Sequence, residues 1–514
     1  MEGCRVSRLV WRVSWSIAWL CLAGGVTRES LAQPAKGRNT LAAVQEKHRD
    51  HYQEFAAELG KLFEFCQSKD LPEGVEQVRS RLVPPDAPSA ERTALPREVQ
   101  PELSSQLTAD ERFWQTQLRK HDTDYAKKLY LLSRQSLHSG HPSFAYRLVR
   151  EAALHDPDHP QCRKILGYVR SGNEWVTPFA AEMVRKQNVW HAQFGWLPKN
   201  HLPRYAAGER NFEGRWVTAA KEQVLRQDFA KGWQVRTDHY LIKTNFSLER
   251  GVELGQALED YHEFFYETFA GFFNTPEQLT KLFEGTSRSV RPDVKPYIVH
   301  YYRTREEYLD RLKKSFPNIA QTNGFYMPDD RVVHFYHDPK ADNEGTLFHE
   351  ATHQLFFESH HQERPIGEKA HFWILEGIAC YMESFHCQNG VVKVGDPQYI
   401  RFAGARANLL AEKSYYVPLR EFSGLGKREF QSMPLHELTK NYTQASGLAR
   451  FFMHFDNGRY REALVTHLSQ LYSGNEKVRN QAKGLDELTG VDFEDLDRQY
   501  LEDARKVEQA QAAR

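Results

Sequence analysis

Apolar positions recur at helical spacing along the first part of the chain. From about Thr40 to Val83, Leu59, Leu62, Phe63 and Phe65 fall among charged residues at a period near 3.6, which predicts a helix. Asp124 to Asp156 reads as two helices joined by a turn at Ser139-Gly140-His141-Pro142. Past Trp233 strand and helix patterns mix. His239 to Thr244 and Tyr297 to Tyr302 read as strands. Glu253 to Phe273 reads as a helix with Leu254, Leu258, Tyr261, Phe265 and Phe269 on one face. Glu306 to Lys314 reads as a short helix. Gly324 to Tyr326 and Arg331 to Tyr336 read as a hairpin about Pro328-Asp329-Asp330. Long helical patterns then run to about Val507. The mixture predicts an α+β fold, with an α-helical region followed by a small mixed sheet carrying helices of its own.

These shifts in pattern set expected boundaries. Residues 33–102 hold a helical segment and a Pro-rich linker, from Pro84 to Pro101. Residues 103–180 hold the helical hairpin. Ser133, Ala145 and Ala152, followed by Pro157, are similar in spacing to one tetratricopeptide-type (TPR-like) repeat. One such repeat cannot bury its faces alone, and any two-helix packing module fits the pattern equally well. Residues 181–232 lie within a Trp-rich and Gly-rich stretch, with Trp196 and Trp216 among Gly, Pro and Asn, and read as a small β or irregular connector. An interaction module is the alternative there, and no chemistry is visible in it. Residues 233–514 read as one α+β domain.

Composition narrows the classes of function. Apolar residues make up 40% of the 514 and charged residues 26%, a globular balance. Lys and Arg number 68, as do Asp and Glu, so no chain-wide basic surface exists and no nucleic-acid partner is expected. Arg5, Arg8 and Arg12 precede an apolar stretch from Val13 to Val26, and Ser30-Leu31-Ala32 offers small residues where a signal peptidase reads them. Residues 1–32 are therefore expected to be a secretory signal, with the remainder extracytoplasmic, in a periplasm or secreted. The apolar stretch is too short and interrupted for a membrane span, so no stable span is expected once it is removed. Past it stand Cys66, Cys162, Cys380 and Cys387, with no Cys-x-x-Cys pair. Free thiols are expected, one disulfide being the alternative.

The chemistry concentrates in Gly345-Thr346-Leu347-Phe348-His349-Glu350-Ala351-Thr352-His353. On a helix, residues four apart share a face, so His349 and His353 can grip one zinc ion. Glu350 is turned about 100° from His349, beside the metal, where a general base for a zinc-activated water would stand. A catalytic zinc needs a third protein ligand and one open position. Within His371-Phe372-Trp373-Ile374-Leu375-Glu376-Gly377-Ile378-Ala379, Glu376 is a lone carboxylate among apolar residues, costly to bury unless paired or bound to metal. A surface carboxylate on an amphipathic helix is the alternative.

His349-Glu350-x-x-His353 followed by Trp373-x-x-Glu376-Gly377-x-Ala379 resembles the gluzincin metallopeptidases, most of all the peptidase MA-like group, which includes an uncharacterised secreted bacterial family. The resemblance spans about Trp233 to Val507 and includes Tyr442-x-Gln444-Ala445-Ser446 and Leu485-Asp486-Glu487-Leu488-Thr489-Gly490. It implies a zincin-like fold, zinc on His349, His353 and Glu376, and Glu350 as the catalytic base. Tyr442 resembles a transition-state donor at a corresponding family position, a core tyrosine being the alternative. One departure stands out. Many gluzincins carry an acidic residue four beyond the third ligand, to orient a ligand histidine. Here Cys380 occupies that position, and Glu383, seven beyond, lies on the same face. His334, His337, His360, His361 and His371 are expected to be surface or strand residues.

A secreted zinc metallopeptidase acting on a peptide or protein is therefore the leading expectation. A peptide-binding scaffold with an inactive peptidase-like domain, and a zinc hydrolase of non-peptide amides, are the alternatives. The helical N-terminal region is a candidate partner-binding arm. In zincin-like folds the strand before the metal helix is an exposed edge, so the resemblance implies that Arg331 to Tyr336 is one, along which substrate can lie.

Overall fold

The protein is described from a computed structural model over residues 40–84, 92–286, 295–340, 344–359, 366–432 and 434–513. The export segment expected over residues 1–32, residues 85–91 of the linker, and His360 and His361 lie outside these.

Helix α1 (Leu41–Ser68) starts where the Thr40 hydroxyl accepts a hydrogen bond from the Ala43 amide. A left-handed Asp70 then breaks the long helix expected to Val83 into two. Helix α2 (Ala109–His138) opens on a reciprocal Thr108–Glu111 cap and pairs with α3 (Pro142–His155) through the expected turn. Their shared core includes Ala126, Leu129, Leu148 and Ala152. It also takes in Ala270, Leu279, Leu282 and Phe283 from far downstream. Glu462 clamps the start of α3, accepting from the Ser143 amide at 2.9 Å and its hydroxyl at 2.5 Å. The described end of the linker is tied down as well. Arg92–Thr93 pairs with Val391–Lys393 as a strand, and Arg92 meets Glu267 at 3.0 Å.

The expected connector, together with the end of the region before it, has a regular structure of its own. Hairpins β1–β2 (Val169–Ser171, Glu174–Val176), β3–β4 (Asn188–His191, Gly195–Pro198) and β5–β6 (Glu209–Phe212, Arg215–Thr218) follow in line, each trailed by a short helix. Trp175, Trp196 and Trp216 recur about every 20 residues, each as the second residue of its hairpin's second strand. Arginines stack on aromatic rings along the series: Arg236 on Phe179 at 4.7 Å, Arg210 on Phe194 at 4.5 Å, Arg204 on Trp216 at 4.0 Å and Arg226 on Phe212 at 4.9 Å.

The central sheet contains β7 (Trp233–Arg236), β8 (Tyr240–Thr244), β9 (Tyr297–Tyr302), β10 (Gly324–Met327) and β11 (Val332–Tyr336), in the order β10-β11-β9-β8-β7. β9 runs parallel to both β8 and β11, while β7 and β10 are antiparallel at the two margins. This corrects one expectation. Residues Arg331 to Tyr336 do not form an edge, because β11 is paired on both sides and all five of its residues are buried. Its unbroken Val-Val-His-Phe-Tyr run suits a strand covered on both faces, and β10 takes the margin.

Helix α4 (Leu248–Thr268) packs Leu254, Leu258, Tyr261 and Phe265 into the core, as its apolar face predicts. Helices α5 (Glu344–Glu358), α6 (Phe372–Met382), α7 (Ile400–Leu410) and α8 (Leu435–Gly458, with non-helical Phe455–Asn457 near its end) complete the part of the domain that holds the site. The result is a mixed α+β architecture. Every residue of α6 except Glu376 is buried. No helix among the described residues is long and apolar enough to cross a membrane. Cys66, Cys162, Cys380 and Cys387 all carry free thiols.

Candidate active site

Two close approaches set the frame. Glycine at 324 lets β10 lie against α5: a Cβ there would come within 2.9 Å of the Thr346 methyl and 3.3 Å of Glu350 Cγ. Glycine at 377 lets α6 press on α8, where a Cβ would meet the Ala445 carbonyl oxygen at 2.6 Å. The paired sequence elements Glu376-Gly377 and Gln444-Ala445-Ser446 are thus one packing contact. Helix α5 is tied to α4 by the Tyr261 and Thr352 hydroxyls, 2.6 Å apart.

On this frame His349, His353 and Glu376 converge. His349 Nε2 lies 3.2 Å from His353 Nε2 and 3.4 Å from Glu376 Oε2, and His353 Nε2 lies 3.7 Å from the same oxygen. At metal–ligand distances of about 2.0–2.1 Å, a tetrahedron spaces its ligand atoms about 3.3–3.4 Å apart. The three atoms therefore fit zinc as they stand. Burial alone would raise the Glu376 carboxyl, but the charge of His353 and the hydrogen bonds of both histidines outweigh it and hold Glu376 below the usual carboxylate range. A zinc ion would take the place of those hydrogens, since the set needs the ionised carboxylate together with both imidazoles deprotonated at Nε2.

Glu350 stands outside this triangle, as its place on the helix predicts. Its Oε2 accepts the Tyr326 amide of β10 at 2.8 Å, which aims the carboxylate along the sheet margin. Tyr442, on α8, is half-buried near Glu376. Burial first, then the Glu376 charge, raises its phenol. Its hydroxyl accepts from Gln431 Nε2 at 3.2 Å, so its own proton stays free to donate.

Around His349 the structure adds what the sequence left open. Glu383 Oε1 lies 2.9 Å from His349 Nδ1. A carboxylate can only accept, so Nδ1 carries a hydrogen toward Glu383, which leaves Nε2 as the nitrogen that faces the triangle. Burial would raise the Glu383 carboxyl, but its bond to His349 outweighs this and holds it below the usual range. Cys380 Sγ lies 3.9 Å from the same nitrogen, fully buried, with its thiol pushed up by burial and then by Glu383. His349, Cys380 and Glu383 form a second close cluster that shares His349 with the first.

The remaining histidines lie elsewhere. His334 is buried in β11 and bonds the Tyr302 hydroxyl; His337 bonds Tyr301; His371 precedes α6 with its ring against His467. Sequence reasoning missed Arg401 and Tyr399, which both bind Glu383, and Gln431, which holds Tyr442. No spacing signal announces them, because loops and short strands intervene. No family model matches the chain, and no curated protein matches it.

Proposed function

We propose that this chain is a gluzincin-type zinc metallopeptidase that acts outside the cytoplasm. The sheet β7–β11 with α4–α6 is then a zincin-like unit, and α2–α3 a TPR-like hairpin available to a protein partner. The observation that carries the reading is the triangle of His349 Nε2, His353 Nε2 and Glu376 Oε2, with sides of 3.2, 3.4 and 3.7 Å.

In this reading His349, His353 and Glu376 hold zinc, which when bound supplies Lewis acidity and lowers the pKa of a water. Glu350 takes the proton from the attacking water and returns it to the leaving amine. The Tyr326 amide keeps the Glu350 carboxylate turned toward β10 while it waits. Tyr442, held through Gln431, donates its phenol hydrogen to the oxygen that gains charge. The margin strand β10 is paired on one side only, and its free side, apart from the Tyr326 amide that Glu350 holds, is open to an extended peptide.

The test is a zinc determination on purified protein with cleavage profiling on a peptide library. Glu350→Gln should keep stoichiometric zinc and lose about two to four orders of magnitude in rate. Full zinc loading with no cleavage by the parent would favour the peptide-binding scaffold. A parent without zinc would sink the metallopeptidase reading.

A further inference from the structure

The side chain expected to orient His349 is a cysteine in this chain, and the structure fills its place with Glu383. A thiol is a weak acceptor, and Cys380 Sγ is 3.9 Å from the ring nitrogen, whereas the Glu383 oxygen is 2.9 Å away. Glu383 reaches that nitrogen from the C-terminal end of α6, one turn further from the metal triangle than Cys380. Its side chain is only 10% exposed. A carboxylate so placed is costly unless it is paired and fully hydrogen-bonded.

The pairing comes from the start of α7. Arg401 grips Glu383 with both arms of its fork, Nε to Oε2 at 2.5 Å and Nη2 to Oε1 at 2.7 Å. The Tyr399 hydroxyl donates to Oε2 at 3.2 Å. Each carboxylate oxygen thus receives two donors: His349 and Arg401 on one, Arg401 and Tyr399 on the other. A bidentate guanidinium fixes the plane of a carboxylate, which a single hydrogen bond leaves free to rotate. Fixing that plane fixes the line of the Nδ1–H bond, and with it the direction of His349 Nε2. It also occupies both oxygens of Glu383, which keeps the Cys380–Glu383 side of His349 from offering a competing set of ligands.

We propose that Arg401 and Tyr399 are positioning residues for the metal centre, acting through Glu383 to set the orientation of His349. The proposal rests on the zinc reading above and deepens it. Loss of the direct partner of a ligand histidine changes metal affinity by about 10–100-fold, and loss of Arg401 leaves that partner, Glu383, free to turn.

Zinc affinity by chelator competition and the visible spectrum of the cobalt-substituted full chain test it without recourse to turnover. Arg401→Met should bind zinc about 10–100-fold more weakly and shift the cobalt bands. Arg401→Lys keeps the charge and loses the fork, so it should fall between parent and Arg401→Met; it carries the test if Arg401→Met does not fold. Tyr399→Phe should weaken zinc less than either. Cys380→Ser should leave affinity and spectrum at parent values. Parent affinity and spectrum in both Arg401 variants would overturn the proposal, as would a loss in Cys380→Ser equal to that in Arg401→Met. A parent chain that binds no metal would instead overturn the zinc reading and this proposal with it.

Discussion

Helix α6 and the hairpin series of residues 169–225 are stabilised in opposite ways. Ten of the eleven residues of α6 are buried, and the exception is Glu376. The helix Pro178–Arg185 of the hairpin series buries none, and every residue of β3 is half-buried. A fully buried large apolar side chain contributes about 1.5–3 kcal/mol, so α6 is fixed by many such terms at once. Contacts such as Arg204 on Trp216 and Arg226 on Phe212 contribute about 0.5–1 kcal/mol each where partly exposed. The difference bears on where the proposed site lies. On the zinc reading, a ligand triangle with sides of 3.2 to 3.7 Å needs a closely packed support, and the contact of α6 with α8 supplies one.

The contact of α6 with α8 gives the sharpest way to break this contrast. Gly377→Ala would put a Cβ within 2.6 Å of the Ala445 carbonyl oxygen, and backbone cannot step aside as a side chain can. Overpacking of this kind costs about 1–3 kcal/mol, more than the helix propensity that alanine gains. Because Glu376 is the neighbouring residue, zinc affinity should fall together with the denaturation midpoint. Both quantities unchanged would mean that the support is looser than the geometry indicates.

The same contrast governs what could be read from sequence. The relation of His349 to His353 is local, one helical turn, so spacing alone predicts it. Glu376 is legible as a single carboxylate in an apolar run. Glu383 is half-legible, since its face follows from the period but its partner does not. Arg401 and Tyr399 reach it only after the chain has turned through the hairpin of His386–Gln388 and Val391–Lys393. The margin strand was misplaced because alternation cannot say which arm of a β-hairpin lies inside a sheet. The Trp hairpins are hard to read because only Trp175-Val176-Thr177 and Trp216-Val217-Thr218 repeat as a tripeptide, Trp196-Leu197-Pro198 departs from it, and strands of three or four residues give no usable period.

A weaker, graded effect separates buried groups from exposed ones by pH. His467 is 1% exposed and donates from Nδ1 to the Lys483 carbonyl at 2.7 Å. Burial, and then His371, push its pKa down to about 4. His300 is likewise pushed down to about 4, by burial and then Lys243. Unfolded chains take up these protons near pH 6.5, folded ones only near pH 4. The unfolded state therefore binds more protons between those values, and stability is lost as pH falls from about 6.5 toward 4. His467→Asn can keep the Nδ1-type donor without a titrating ring, so the thermal midpoint should depend less steeply on pH across that window. A parent midpoint that is flat over the same range would count against the assignment.

The smallest effect belongs to the hairpin series, and it tests the contrast from the other side. Trp216 carries Arg204 over its face at 4.0 Å and has His201 edge-on at 4.9 Å and Tyr205 at 6.2 Å. Trp216→Leu keeps an apolar group of reduced size and removes the aromatic face. Its cost should be about 0.5–1.5 kcal/mol, the range of one lost aromatic contact set. It should be felt locally, as faster amide exchange and easier proteolytic nicking within about residues 188–225, because terms this small hold that stretch piece by piece. Zinc affinity and cleavage rate should stay at parent values, since no hydrogen bond or ion pair described here joins Trp216 to α5, α6 or α7. Should Trp216→Leu weaken zinc as much as Gly377→Ala does, the two regions would be one cooperative unit, and the division between a rigid site and a loosely held neighbour would have to be abandoned.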